Sequence, residues 1–184
     1  EIDPRASSIF ATQQRWLMAH LGLALHFDRG GPGITTARFL SQVSEYGVAS
    51  RNTADAFLKE MLNYGIVHAV PHASDRRTRP MEPSQGGLDV LGLWTQAHLQ
   101  TLDGLDGGRR LERFGADPDG LRRLQPYIAE GLLSSRAIRE PKQTFSLFTW
   151  LNNGGVIMDW LIAGLGAPDP ITGRFGTPVT SIAE

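Results

Sequence analysis

The stretch SRNTADAFLKEMLNYGIV, from Ser50 to Val67, leaves this chain few choices of local structure. Ser50 is a good helix-starting residue, because its hydroxyl can accept a hydrogen bond from a free backbone N–H of the first turn. Ala54, Phe57, Leu58, Met61 and Leu62 then recur at helical spacing and make one apolar stripe. The opposite face carries Arg51, Asn52, Asp55, Ala56, Lys59 and Asn63. Gly65 permits the left-handed residue that closes many helices, and Ile66 to Val70 reads as a strand. Upstream, Thr35 to Ser44 forms a shorter helix, with Glu45-Tyr46-Gly47-Val48 as its tight turn. Downstream, Pro71 to Thr78 is a loop carrying Asp75-Arg76-Arg77, followed by Arg79 and Pro80. Helix, glycine turn, helix and β-ribbon together describe a winged helix-turn-helix, with Ile34 as the minimal first strand of its sheet.

In these residues the chain resembles the MarR family of winged-helix transcriptional regulators. The family's usual run opens its recognition helix with serine-arginine, sets a threonine two residues later, leaves by Gly-Leu-Val and places Asp-Arg-Arg in the wing. Here Ser50, Arg51, Thr53, Gly65-Ile66-Val67 and Asp75-Arg76-Arg77 fill those places. Ser84-Gln85-Gly86-Gly87 stands where the family leaves its wing for a long helix, and the match covers roughly residues 12–103. The chain departs from the pattern at Ala56 and Glu60, where members often carry polar or basic groups. It departs again at Pro80 and Pro83, which cannot donate to a ladder. Members commonly begin with a long dimer-forming helix, whereas only eleven residues precede Thr12 here.

The resemblance implies a homodimer bound to double-stranded, palindromic DNA. It also implies that Arg77 reaches a minor groove while Asp75 holds the loop shape. A small aromatic or anionic effector would sit between the helix matching 12–27 and the one matching 88–105, which makes Trp16, His20, Trp94 and His98 the pocket residues.

The expected DNA-contacting set is Thr36, Arg38, Ser50, Arg51, Asn52, Thr53, Lys59, Arg76, Arg77 and Arg79. Arg51, Asn52 and Thr53 occupy the first turn of the second helix, where this motif meets base edges. Asn can read adenine and Arg guanine through paired hydrogen bonds. On an isolated helix the same residues would be a solvated polar face, and only the helix-turn-helix setting turns the reading toward DNA. Lys59, further along, is a phosphate contact or plain surface. The three wing arginines beside Asp75 leave at least one guanidinium for a groove.

Charge tempers this picture. The whole chain has a net charge of −1, and from Ile34 to Gln85 six cations face five carboxylates. DNA affinity rests largely on phosphate neutralisation, so one subunit would bind modestly and a two-fold dimer would double the contacts. The rival reading is a winged helix serving as a protein-interaction or scaffold module, supported by Asp55 and Glu60 on the second helix.

Chemistry of other kinds finds no residues. His20, His26, His68, His72 and His98 make no metal-like constellation, and His68 and His72 lie in a hairpin rather than on one helical face. No glycine-rich phosphate loop, nucleophile elbow or spaced carboxylate pair occurs, so the chain is read as no enzyme, with no cofactor and no metal. The absence of cysteine removes disulfides and thiolate sites and fits a reducing cytoplasm. No basic-then-apolar signal opens the chain. Residues 145–166 are the most apolar window, but Asn152, Asn153, Gly154-Gly155 and Asp159 interrupt it, so no membrane span is expected.

The expected fold is mainly α with a small β-ribbon wing, a winged helix-turn-helix followed by C-terminal helices. Residues 1–106 would form the DNA-binding domain, opened by a helix over 7–27 and closed by one over 88–105 with Leu91, Trp94, Ala97, His98, Leu102 and Leu105 on one face. Residues 107–165 would form a helical dimerisation region. There Asp117-Pro118-Asp119 starts a helix, Pro126 ends or kinks it, and Gln143 to Leu165 splits near Asn152. Residues 166–184, rich in glycine and proline, would form an extended tail. Phe148, Leu151, Trp160 and Leu161 are expected to supply most of the homodimer contact.

Overall fold

The computed structural model describes residues 10–28, 33–70, 79–142, 144–151 and 154–176. The chain is mainly helical, with one two-stranded antiparallel hairpin following the third helix. Packing divides it into two compact units, residues 16–139 and residues 140–184 together with 1–15.

The first described helix is α1, Gln13–Phe27, which belongs to the larger unit from Trp16 onward. Its start lies later than the expected residue 7: Thr12 Oγ1 accepts the Arg15 N–H at 3.3 Å and so caps the helix, and residues 7–9 lie outside the described set. α2 spans Thr36–Glu45 and α3 spans Arg51–Asn63. Each opens on an extended residue whose hydroxyl accepts a first-turn N–H: Thr35 from Arg38 at 3.3 Å, and Ser50 from Thr53 at 3.2 Å. The turn between them closes through Tyr46 N–H to the Gln42 carbonyl and Val48 N–H to that of Val43, with Gly47 at φ +63°. That left-handed geometry is the reason for a glycine there.

Buried Phe39, Leu40 and Val43 of α2 and Ala54, Phe57, Leu58 and Met61 of α3 form a core with Leu17, Met18, Leu21 and Leu25 of α1. Leu62 is 40% exposed rather than buried. It sits about 100° round the helix from Met61, off the stripe.

The hairpin pairs β1, Val67–Ala69, with β2, Met81–Pro83, in the register Val67 to Pro83, His68 to Glu82 and Ala69 to Met81. It is shorter than the expected Ile66–Val70 strand. Ile34 adds a single antiparallel bridge, its carbonyl accepting the Met81 N–H at 2.7 Å.

α4, Gln85–Asp106, is capped by Ser84 and stopped by Gly107 at φ +71°. Its buried side chains are Leu91 and Thr95, one turn apart; Ala97, His98, Leu102 and Leu105 of the expected apolar face are exposed. The helix simply outruns the core, since none of its residues beyond 100 is buried.

α5, Arg110–Gly115, starts on a borrowed cap: the Asp103 carboxylate accepts the Arg110 and Leu111 N–H groups at 2.9 Å each. These bonds hold Asp103 below the usual carboxylate range. α6 covers Gly120–Ser134 and α7 covers Arg136–Arg139. Two expectations fail here. α6 begins at Gly120, because Asp117 Oδ1 turns to the Asp119 N–H and its other oxygen pairs with Arg123. α6 also continues past Pro126, so the proline does not end it. Proline removes one helical hydrogen bond, but the stripe Gln125, Ala129 and Leu133 is buried on both sides of it, so packing carries the helix across. Residues 107–139, read from sequence as the start of a separate region, thus pack within the same compact unit as the helix pair.

The smaller unit contains α8, Thr144–Trp150, and α9, Gly154–Ala163. Gly154 is required at their junction, since a Cβ there would lie 1.8 Å from the Phe148 carbonyl oxygen. Beyond α9 the chain is not extended over 166–176. Pro168 and Phe175 form an antiparallel bridge around a tight turn, in which Asp169 Oδ1 accepts the Ile171 and Thr172 N–H groups at 3.0 and 2.7 Å. Among the described residues, no helix is long and apolar enough to cross a membrane.

Candidate nucleic-acid interface and aromatic cluster

The first turn of α3 presents Arg51, Asn52 and Thr53, all exposed. Ser50, also exposed, spends its hydroxyl on the cap and on a 2.8 Å contact with Thr53 Oγ1, so these two fix the helix start and leave Arg51 and Asn52 to face outward. No carboxylate occupies that turn, which keeps the positive end of the helix available to an anion. Lys59 pairs with Asp55 one turn earlier at 2.6 Å and projects into solvent. Thr36, at the start of α2, is exposed. Arg38 is held back: its guanidinium pairs with Asp28 and donates to the Gly33 carbonyl at 3.4 Å.

In the hairpin, His68 Nε2 lies 3.0 Å from Glu82 Oε1 across the strands. Arg79 is exposed and takes φ +38°, a left-handed conformation that costs a residue with a side chain about 1 kcal/mol. Arg76 and Arg77, with Asp75 and His72, lie outside the described residues.

The four aromatic positions expected to form a pocket converge. Trp16 and His20 of α1 stand 4.6 Å apart between ring centroids, and Trp94 of α4 lies 5.3 Å from Trp16 and 5.2 Å from His20, all edge-on. His98 packs on Trp94 at 4.0 Å with its Nδ1 on the Trp94 carbonyl at 2.9 Å. His20 is wholly buried, and burial, with His98 nearby, pushes its pKa down to about 4. The imidazole is therefore neutral at pH 7 and the cluster holds no fixed cation.

Sequence reasoning missed its fifth member, Gln125 of α6. This wholly buried amide donates through Nε2 to His20 Nδ1 at 2.9 Å, placing the imidazole proton on Nε2. His20 Nε2 and Gln125 Oε1 remain buried without a partner among the described residues, one donor and one acceptor. The available signal was a glutamine in register with Ala129 and Leu133, a polar residue on a buried stripe.

α6 and α7 also grip the turn of the helix pair. Tyr46 donates its hydroxyl to Glu130 Oε2 at 2.8 Å, which raises the phenol's pKa, and Arg139 Nη1 donates to the Tyr46 carbonyl at 2.8 Å. One helix thus touches both the aromatic cluster and the turn that orients α3. Among the described residues, no group of three or more His, Asp or Glu side chains could hold a metal ion. Comparison of the chain with protein-family models, with curated proteins and with solved structures finds no match in any of the three.

Proposed function

We propose that this protein is a sequence-specific, DNA-binding transcription regulator of winged helix-turn-helix type, resembling the MarR family, that acts as a homodimer. The observation carrying the reading is the Ser50-capped first turn of α3, with exposed Arg51 and Asn52 on a helix that follows a glycine turn and precedes a hairpin. Such a turn meets base edges when the helix enters a major groove, and the hairpin loop bearing Arg76 and Arg77 would lie over the adjacent minor groove.

The exposed apolar side chains Leu151, Val156 and Trp160 of the smaller unit support self-association there, because monomers rarely leave so many large apolar groups in water. The aromatic cluster supports effector control. Its four rings meet where the resemblance puts an effector, and His20 Nε2 and Gln125 Oε1 have no hydrogen-bond partner there among the described residues. A ligand that shifts α6 would loosen the Glu130 and Arg139 bonds to Tyr46 and so re-aim α3.

Sequencing of genomic fragments retained by the purified protein at low salt tests the reading. Enrichment of one inverted repeat is expected, with Arg77→Ala lowering the salt slope of its binding by about one counterion. Recovery of no common motif would favour the scaffold reading, for which the Lys59–Asp55 and Arg38–Asp28 pairs are the supporting observations, because they tie up two of the expected DNA contacts.

A further inference from the structure

Between the C-terminal end of α1, the outer face of α2 and the first half of α6 lies an open groove of about 540 Å³. That volume is within the range of small-molecule sites, about 300–1,000 Å³. Part of its wall is apolar, from buried Leu25 and half-buried Phe27 and Pro126, with the highly exposed Tyr127 beside them. Three guanidiniums, Arg38, Arg122 and Arg123, line the same groove, against the single carboxylate of Asp28. Arg38 is committed to Asp28 and Arg123 to Asp117, whereas Arg122 has no ion-pair partner among the described residues.

Arg122 and Arg123 stand in the first turn of α6, behind the N-cap Asp119, and Asp117 pairs with Arg123, so Arg122 is the guanidinium left to meet an anion. His26 is near enough to feel Arg122: its pKa is lowered by burial, with Glu82 opposing and Arg122 adding a smaller lowering. A lining with three guanidiniums and one carboxylate over an apolar wall favours an anion that also buries carbon. A guanidinium fork grips a phosphate or carboxylate through paired hydrogen bonds, and the apolar wall accepts a flat hydrocarbon body.

We infer that this groove is a binding site for a small amphiphilic organic anion, its oxyanion held by Arg122 and its apolar body against Phe27, Pro126 and Tyr127. The site is separate from the aromatic cluster, which carries no fixed cation, and it stands whether or not the chain binds DNA.

Calorimetric titration of the full chain with 1-naphthyl phosphate, and with 1-naphthol as its uncharged counterpart, tests this. The phosphate should bind, and naphthol should bind at least about tenfold more weakly. Arg122→Gln, at an exposed position, should weaken the phosphate about tenfold, and Tyr127→Ala should weaken it through the other end of the ligand. Trp94→Ala, in the separate cluster, should change it less than about twofold. The inference is overturned if the phosphate gives no binding heat, if Arg122→Gln and Tyr127→Ala leave its affinity unchanged, if naphthol binds equally well, or if Trp94→Ala is the variant that abolishes binding.

Discussion

Acid should destabilise the larger unit through one side chain above all, His20. Its imidazole titrates at about 4 in the folded protein against 6.5 for an ordinary histidine, chiefly because burial disfavours its charged form. As pH falls below 6.5 the unfolded chain takes up a proton that the folded chain refuses, so stability declines with falling pH until the folded pKa is reached, and this loss then levels off. The slope is about 1.4 kcal/mol per pH unit over that window, and the whole loss is about 3 kcal/mol. That is a large share of the 5–15 kcal/mol typical of a domain.

Urea titrations followed by the fluorescence of Trp16 and Trp94, which flank His20, would measure it at several pH values between about 7 and 4.5. The reference is the double variant His20→Leu/Gln125→Leu, which removes both buried polar partners together and should cost little at neutral pH, because no donor or acceptor of the pair is left behind. Gln125→Leu alone should cost about 1–3 kcal/mol, since it strips His20 Nδ1 of its only donor. Subtracting the double variant cancels the carboxylate titrations common to both proteins. Equal pH slopes for the natural chain and the double variant between pH 6.5 and 5 would refute the argument, and would mean that water reaches His20 freely.

Other outcomes follow from the same geometry. Asn52→Ala should weaken binding to a selected DNA site by about 1–3 kcal/mol and relax preference at one base pair per half-site, whereas a uniform loss over all sequences would make Asn52 a backbone contact. Ser50→Ala should cost about 1 kcal/mol in a urea melt by freeing the Thr53 N–H it now accepts. Gly154→Ala should destabilise the smaller unit by 1 kcal/mol or more, by the rule that overpacking costs about 1–3 kcal/mol; an unchanged melt would show that the Phe148 carbonyl can move aside. A chain ending at Arg139 keeps the whole larger unit. By light scattering it should be monomeric and should bind DNA more weakly, and a fully dimeric truncation would place the dimer contact elsewhere.

How much of this was legible beforehand differs from element to element. Local rules sufficed for α2, α3 and the hairpin. Thr35 and Ser50 sit where caps belong, Gly47 and Gly65 where the backbone turns left-handed at φ +63° and +66°, and the apolar stripe repeats at helical spacing. Each of these signals acts within a few residues, so the chain carries them without reference to its fold. The same rules misjudged Pro126, Asp117 and the exposed half of α4. Whether a proline breaks a helix, which acid caps it and how far a stripe is covered depend on what packs alongside.

The aromatic cluster stands between these cases. Trp16, His20, Trp94 and His98 were placed together from the family resemblance, but Gln125 was not. It approaches His20 across 105 residues of sequence, through the packing of α6 on α1. The arginine groove was equally hidden, since Arg38 and Arg122 belong to different helices and each alone looks like ordinary surface. Sequence on its own determined which segments coil, turn and pair, because those choices are made by backbone sterics and hydrogen bonds between near neighbours. Tertiary structure alone decided which polar groups are buried together and which charges share one groove, because burial and electrostatic energies depend on distance in space rather than along the chain.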